Sequence, residues 1–169
     1  MTQRVFGITG WKNSGKTGLT VRLIEELTGR GHRVSTVKHA HHAFDIDHEG
    51  TDSHRHRTAG ATEVAIVSGK RWALMHELRD EDEPDLATVL KRLTPCDLVL
   101  IEGYKTQKHP KLETRRRAAK SHDALSERDS TIVAIASDYP VEDAALPVFD
   151  LDDTVAIADF IECQVGLAQ

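Results

Sequence analysis

Gly10-Trp11-Lys12-Asn13-Ser14-Gly15-Lys16-Thr17 is the stretch that decides how this chain folds. The octapeptide fits G-x-x-x-x-G-K-[ST]. It stands between an apolar run (Val5, Phe6, Ile8) and a helix-like pattern (Leu19, Leu23, Ile24, Leu27). A strand, a glycine-rich turn and a helix, in that order, are the context that a phosphate-binding P-loop requires. Gly10 and Gly15 let the backbone curl so that successive N–H groups point inward at phosphate oxygens. The expected ligand-contacting residues are therefore Gly10, Lys12, Asn13, Ser14, Gly15, Lys16, Thr17 and Gly18. Lys16 would reach the β- and γ-phosphates, and the Thr17 hydroxyl would ligate Mg²⁺. The helix that opens near Gly15 adds its positive N-terminal end.

Working outward, residues 3–9 read as the first strand and 16–29 as the first helix, with Gly31 as its stop. Residues 33–38 alternate apolar and polar side chains and read as a second strand. A polar loop with six histidines between His39 and His56 follows. Thr51 or Asp52 can cap a short helix that runs to about Ala59. Residues 62–68 and 71–77, separated by Gly69-Lys70, have the spacing of a hairpin, expected here as an antiparallel element on an otherwise parallel sheet. Glu83-Pro84-Asp85 opens another helix, with proline at its first position. Residues 97–101 form a continuous apolar run suited to a buried central strand. A charged stretch, 104–130, offers a short strand at 111–114 and a short helix at 121–127. Residues 131–136 and 147–149 read as the last strands, and Asp152 or Asp153 caps the final helix. The alternation predicts a three-layer α/β fold, a P-loop NTP-binding domain spanning 1–169, with ligand at the carboxyl ends of the strands.

Composition narrows the function classes. The net charge is −5 in 169 residues, which gives no general basic field for nucleic acid. No apolar run approaches the roughly 20 residues of a membrane span. The chain enters a strand at once, with no apolar leader, and Cys96 and Cys163 follow no metal or redox spacing. A reduced, cytoplasmic compartment is expected.

Glu102 closes the apolar strand where a carboxylate can hold the Mg²⁺ shell or orient a water, and Gly103 lets the backbone pass close to phosphate. In the histidine loop, Asp45, Asp47 or Asp52 could activate water near a γ-phosphate or help bind Mg²⁺, while Arg55 or Arg57 contacts phosphate oxygens. The histidines leave open a transition-metal site or a plain solvated loop. Asp138 follows the strand expected to arrive beside a nucleobase. A carboxylate there accepts from guanine N1–H and N2–H₂ together, which adenine does not offer. Lys105, Lys108, Lys111 and Arg115-Arg116-Arg117 form a basic stretch suited to an anionic second ligand or partner.

Several blocks go beyond a generic P-loop: G-W-K-N-S-G-K-T, V-K-H-A-H-H-A-F-D-I-D, G-T-D-S-H-R-H-R-T-A-G-A, D-L-V-L-I-E-G-Y-K and P-K-L-E-T-R. Together, from about Val5 to Arg117 and again at Asp138, they resemble the MobB family of molybdopterin-guanine dinucleotide biosynthesis adaptors. The resemblance implies a GTP-binding protein with at most slow GTPase activity. It would assist the guanylyltransferase that turns molybdopterin into its guanine dinucleotide. It also implies a homodimer, for which the apolar hairpin around Val64 to Leu74 is a candidate surface. By the same likeness, Lys16, Asp45, Asp47 and Glu102 are the catalytic candidates, and Thr17 and Glu102 the metal ligands. Asp45, Asp47, Asp52, Ser53, Arg55 and Arg57 form the block that the likeness places near nucleotide or pterin. Dimeric ATPases of the wider class often carry a lysine directly after the first glycine of the loop; here that position is Trp11. The alternative that uses the same loop is a small-molecule kinase transferring the γ-phosphoryl of ATP.

Overall fold

In the computed structural model, which describes residues 3–40 and 44–168, β1 (Val5–Gly10) lies third in a parallel sheet of six strands. The others are β2 (Val34–Lys38), β5 (Leu98–Glu102), β6 (Lys111–Arg115), β7 (Ile132–Ser137) and β8 (Val148–Asp150). Their spatial order is β2-β5-β1-β6-β7-β8. Two helices cover one face, α1 (Lys16–Gly29) and α4 (Thr154–Val165). Leu19, Leu23 and Leu27 recur every four residues along α1 and form its buried stripe. They meet Phe6, Ile8, Leu98, Leu100, Leu112, Ala134 and Ala136 from the sheet, with Ile157, Ala158 and Ile161 from α4. Burying each such leucine or isoleucine contributes about 1.5–3 kcal/mol. The end of α1 is set by Gly31 at φ 93°, with N–H bonds from Gly31 to Thr28 and from His32 to Leu27.

The chain divides into two compact units, one from 1–39 with 89–169 and one from 40–88. The second holds α2 (Asp52–Thr58), whose N-terminus Thr51 caps by accepting from the His54 N–H. It also holds the antiparallel pair β3 (Glu63–Val67) and β4 (Trp72–His76). The hairpin is thus present, but it is a two-stranded sheet of its own and adds no strand to the parallel one. Its residues alternate correctly for pairing, and pairing pattern alone does not say which sheet a hairpin joins. Further along, α3 (Leu86–Arg92) begins after Asp85, whose carboxylate accepts from the Thr88 N–H. Pro84 therefore precedes the cap and does not occupy the first turn. The helix expected at 121–127 is reduced to one 3₁₀ turn at Leu125–Glu127.

The register of the sheet places the ligand-side residues. β5 ends with Glu102 opposite Ile8, whereas β6 starts with Lys111 opposite Gly7 and brings Thr114 opposite Gly10. β6 is therefore displaced toward the loop end of the sheet, and Arg115, Arg116 and Arg117 continue past the end of β1. The same offset explains how only residues 103–110 connect two parallel strands that flank β1. A parallel crossover ordinarily needs a dozen or more residues to return along the strand. Here there is little length to retrace. The segment passes close over Gly7, where an added β-carbon would stand 2.5 Å from His109 Nε2.

Candidate nucleotide site

The turn after β1 has the backbone its sequence demands. Gly10 has φ 149°, Asn13 has φ 65° and Gly15, the N-cap of α1, has φ 92°. Beneath the turn, Ser14 Oγ and Thr114 Oγ1 share a buried hydrogen bond of 2.7 Å. The Thr114 hydroxyl also reaches the Thr9 carbonyl at 3.1 Å. Asn13, Ser14, Gly15, Lys16, Thr17 and Gly18 line a cleft of about 430 Å³ that Arg116 and Ala118 close from the other side. Lys16 bends back over the turn and donates to the carbonyls of Gly10 (3.1 Å) and Trp11 (2.7 Å). Partial burial holds the Lys16 ammonium below its ordinary range; Glu102 works against this shift, while Lys105 and Lys38 add to it.

Glu102 reaches this site from the end of β5. Its Oε1 accepts from the Thr17 hydroxyl at 2.9 Å and lies 3.4 Å from Lys38 Nζ. A hydroxyl and a carboxylate are oxygen donors of the kind Mg²⁺ prefers, so Thr17 and Glu102 fit that ion. Gly103, at φ 96°, leaves space that His39 would otherwise contest, since a β-carbon there would lie 3.2 Å from His39 Cβ.

Asp138 stands at the end of β7, beside the arm that follows β6. Its Oδ1 accepts from the Arg117 N–H at 2.9 Å, and its Oδ2 is 3.6 Å from Arg116 Nε. The carboxylate expected to meet a base therefore also braces the two arginines. Arg117, His122 and Tyr139 line a second cleft of about 330 Å³. The Arg117 guanidinium lies 5.7 Å from the Tyr139 ring centre, and the His122 ring is edge-on to Tyr139. Arg116 and Ala118 thus line the first cleft and Arg117 the second.

The histidine–aspartate block belongs to the 40–88 unit and organises around Arg57. Its guanidinium takes Asp47 with two bonds (2.6 and 3.2 Å), Asp45 at 3.1 Å and Glu77 at 2.9 Å. The bonds from Arg57 hold the Asp47 carboxyl below the usual range even though burial pushes the other way. A carboxylate engaged on both oxygens is a strut and a weak base. Asp45, 70% exposed at its side chain, keeps one edge open to solvent. Asp52 lies in the first turn of α2, Ser53 Oγ is 3.3 Å from Thr51 Oγ1, and Arg55 is exposed. Arg57→Lys keeps the charge but loses the planar fork, and it is expected to lower the urea-unfolding midpoint. An unchanged midpoint would show the network to be ornamental.

His39 packs its ring on Tyr104 at 4.6 Å, while His41 and His42 lie outside the described residues. Among the described residues, no group of three or more His, Cys, Asp or Glu is placed to hold a metal ion. The basic stretch does not act as one surface. Lys111 is buried, its ammonium held by the Gln107 carbonyl, the Thr131 hydroxyl and, at 3.4 Å, Asp129. Glu113, also buried, accepts from the N–H groups of Leu125 and Ser126 and from Arg115. Sequence reading missed this role because its partners lie 12 and 13 positions away, in a segment without periodicity. Among the described residues, no helix is long and apolar enough to cross a membrane.

Comparison with known proteins agrees with these blocks. Residues 5–138 match the family model for molybdopterin guanine dinucleotide synthesis protein B, MobB. The molybdopterin-guanine dinucleotide biosynthesis adapter protein of Haemophilus influenzae is 40% identical over 94% of this chain and 87% of its own length. Its Escherichia coli counterpart is 38% identical over 93% and 90%. A crystal structure of Bacillus subtilis MobB superposes with a TM-score of 0.74 at 27% identity, covering 96% of this chain and 98% of that one. A MobB homolog from Bacillus stearothermophilus gives 0.72 at 28%, over 98% and 100%. The chain belongs to the MobB family of molybdopterin-guanine dinucleotide biosynthesis adapter proteins.

Proposed function

We propose that this adapter binds GTP with Mg²⁺ and, so loaded, assists the guanylyltransferase that converts molybdopterin to its guanine dinucleotide. The observation that carries the reading is the Thr17–Glu102 contact at the mouth of the glycine turn. It joins the hydroxyl and the carboxylate that a nucleotide's magnesium would use, beside a cleft lined by residues 13–18 of the glycine turn. Lys16 would exchange its two carbonyl partners for phosphate oxygens. The cleft of Arg117, His122 and Tyr139 suits a planar base, since guanidinium and aromatic faces stack on heterocycles. Asp138, beside it, would favour guanine through its remaining acceptor capacity.

Hydrolysis is secondary in this reading. Glu102 is bonded to Thr17 and Lys38, Asp47 to Arg57, and the nucleotide acts chiefly by setting a shape that a partner reads. Exposed apolar side chains on the hairpin (Val67 at 76%, Trp72 at 69%) offer a surface for a second copy of the chain, giving a homodimer. Calorimetry with Mg²⁺ present is expected to show GTP binding in preference to ATP. Lys16→Ala should weaken it by about 100-fold or more, as loss of a buried charged contact to phosphate does. Glu102→Gln should slow phosphate release while leaving guanylyltransferase stimulation largely intact. Absence of any purine triphosphate binding removes the reading. Phosphate passed from ATP to a small acceptor would replace it with a kinase.

A further inference from the structure

We propose that Lys105 and Lys38 form a sensor for the terminal phosphate, supplied within one chain, so that the site distinguishes a nucleoside triphosphate from a diphosphate. The inference rests on the reading of the glycine turn as a nucleotide site and assigns both residues a task toward the ligand.

Trp11 is the starting point. Its indole N–H donates to the Asp123 carbonyl at 2.8 Å, which fixes the ring at the start of the turn. Lys105 Nζ lies 4.6 Å from the centre of that ring. A cation over an indole face is attracted by the ring's quadrupole, which biases where a flexible lysine rests. Lys105 follows Glu102 by three residues, on the segment that leaves β5 beside the turn. Trp11 therefore acts as a parking place for a charge that arrives from another element.

Lys38 approaches from the opposite flank. It is the last residue of β2, paired in register with Glu102, and its ammonium is 3.4 Å from Glu102 Oε1. Its side chain is 62% exposed, and Lys105 is exposed as well, so both have room to turn toward a ligand. Both ammonium groups act on the Lys16 ammonium through their charge. Lys16 and Lys38 thus stand by one carboxylate, Glu102, while Lys105 rests on Trp11 at the same turn. Such an excess of positive charge favours the ligand with the most negative tail, and it does so over a Debye length of about 8 Å. In that reading the diphosphate portion would meet the main-chain amides and Lys16. The added phosphate is what Lys38 and Lys105 are left to meet.

The test is a pair of affinities, not one. GTP and GDP are titrated calorimetrically, with Mg²⁺ present, into the full chain and into Lys105→Met, Lys38→Met and the double variant. Each single change is expected to weaken GTP by about 10-fold, the size of one partly exposed charge-assisted hydrogen bond. GDP should change less than about 2-fold, so the GTP-to-GDP preference falls stepwise. Trp11→Leu, which keeps both charges but frees Lys105, should give a smaller loss in the same direction. Parallel weakening of GTP and GDP, or no change in either, overturns the sensor while leaving the nucleotide site standing. If the unaltered chain takes up neither nucleotide, the site itself has been misread and the sensor falls with it.

Discussion

Gly10→Ala is expected to cost about 3 kcal/mol or more of folding stability and to remove nucleotide binding at the same time. A β-carbon at this position would stand 2.4 Å from Ser14 Oγ, 2.5 Å from Thr114 Oγ1 and 2.7 Å from the Thr114 carbonyl oxygen. None of the three can move cheaply. The two hydroxyls are bonded to each other in the interior, and the carbonyl belongs to a strand paired on both sides. Overpacking of this kind costs about 1–3 kcal/mol, and the φ of 149°, in a region favouring glycine, adds about 1–3 kcal/mol of backbone strain for a residue with a side chain. Because the displaced atoms are the floor of the turn, the amides that would meet phosphate shift with them. Gly15→Ala is the informative comparison. Its nearest neighbour would be a flexible leucine tip, Leu151 Cδ2, at 3.1 Å, so the loss should be smaller and mostly conformational. Urea midpoints for the two variants, with GTP titrations alongside, check both statements; equal and negligible losses would contradict the account of the floor.

Acid should destabilise this protein in a window set by His109. The ring is buried, and neither nitrogen has a hydrogen-bond partner among the described residues. Burial, with Lys111 adding to it and Asp129 opposing, lowers its pKa to about 4 from an ordinary 6.5. The unfolded chain thus binds a proton that the folded chain refuses between these values. The stabilising contribution is whole above pH 6.5 and erodes as pH falls toward 4, reaching about 3 kcal/mol of loss. Depressed carboxyls such as Asp97 and Asp129 lose their contribution only as pH falls below about 4. His76, whose pKa is raised mainly by its bond to Glu63 and also by Glu81, works in the opposite sense, gaining as pH falls through its titration. The decisive comparison is therefore between variants: His109→Gln should flatten the slope between pH 6.5 and 4 relative to the parent chain. An undiminished slope would place the proton elsewhere.

The parts of the fold legible in sequence are those written in short range. The glycine turn, the four-residue stripe of α1 and the apolar run ending at Glu102 each need only neighbours to be recognised, and all three fall where expected. The hairpin was legible as a hairpin but not as a sheet separate from the parallel one. β6 was harder to read. K-L-E-T-R alternates like a half-exposed strand, yet both faces are covered and its ions find partners in a segment with no periodic signal. The candidate site divides along the same line. Lys16, Thr17 and Glu102 follow from a motif, whereas Thr114 beneath the turn, Arg116 across the cleft and Lys105 over Trp11 depend on strand register. Register is a property of pairing, and one chain read in isolation does not display it.

The alternation along β6 has an effect on assembly of the sheet itself. Leu112 faces the helical layer, while Lys111 and Glu113 face the other way among their own partners. Sliding this strand by a single position would carry two ions in among Leu19 and Ile157 and turn Leu112 outward. Each stranded ion would cost several kcal/mol. A one-residue slip of β6 is thus disfavoured by the cost of stripping water from two ions, and the native register is the one that carries Arg116 and Arg117 to the edge of the cleft.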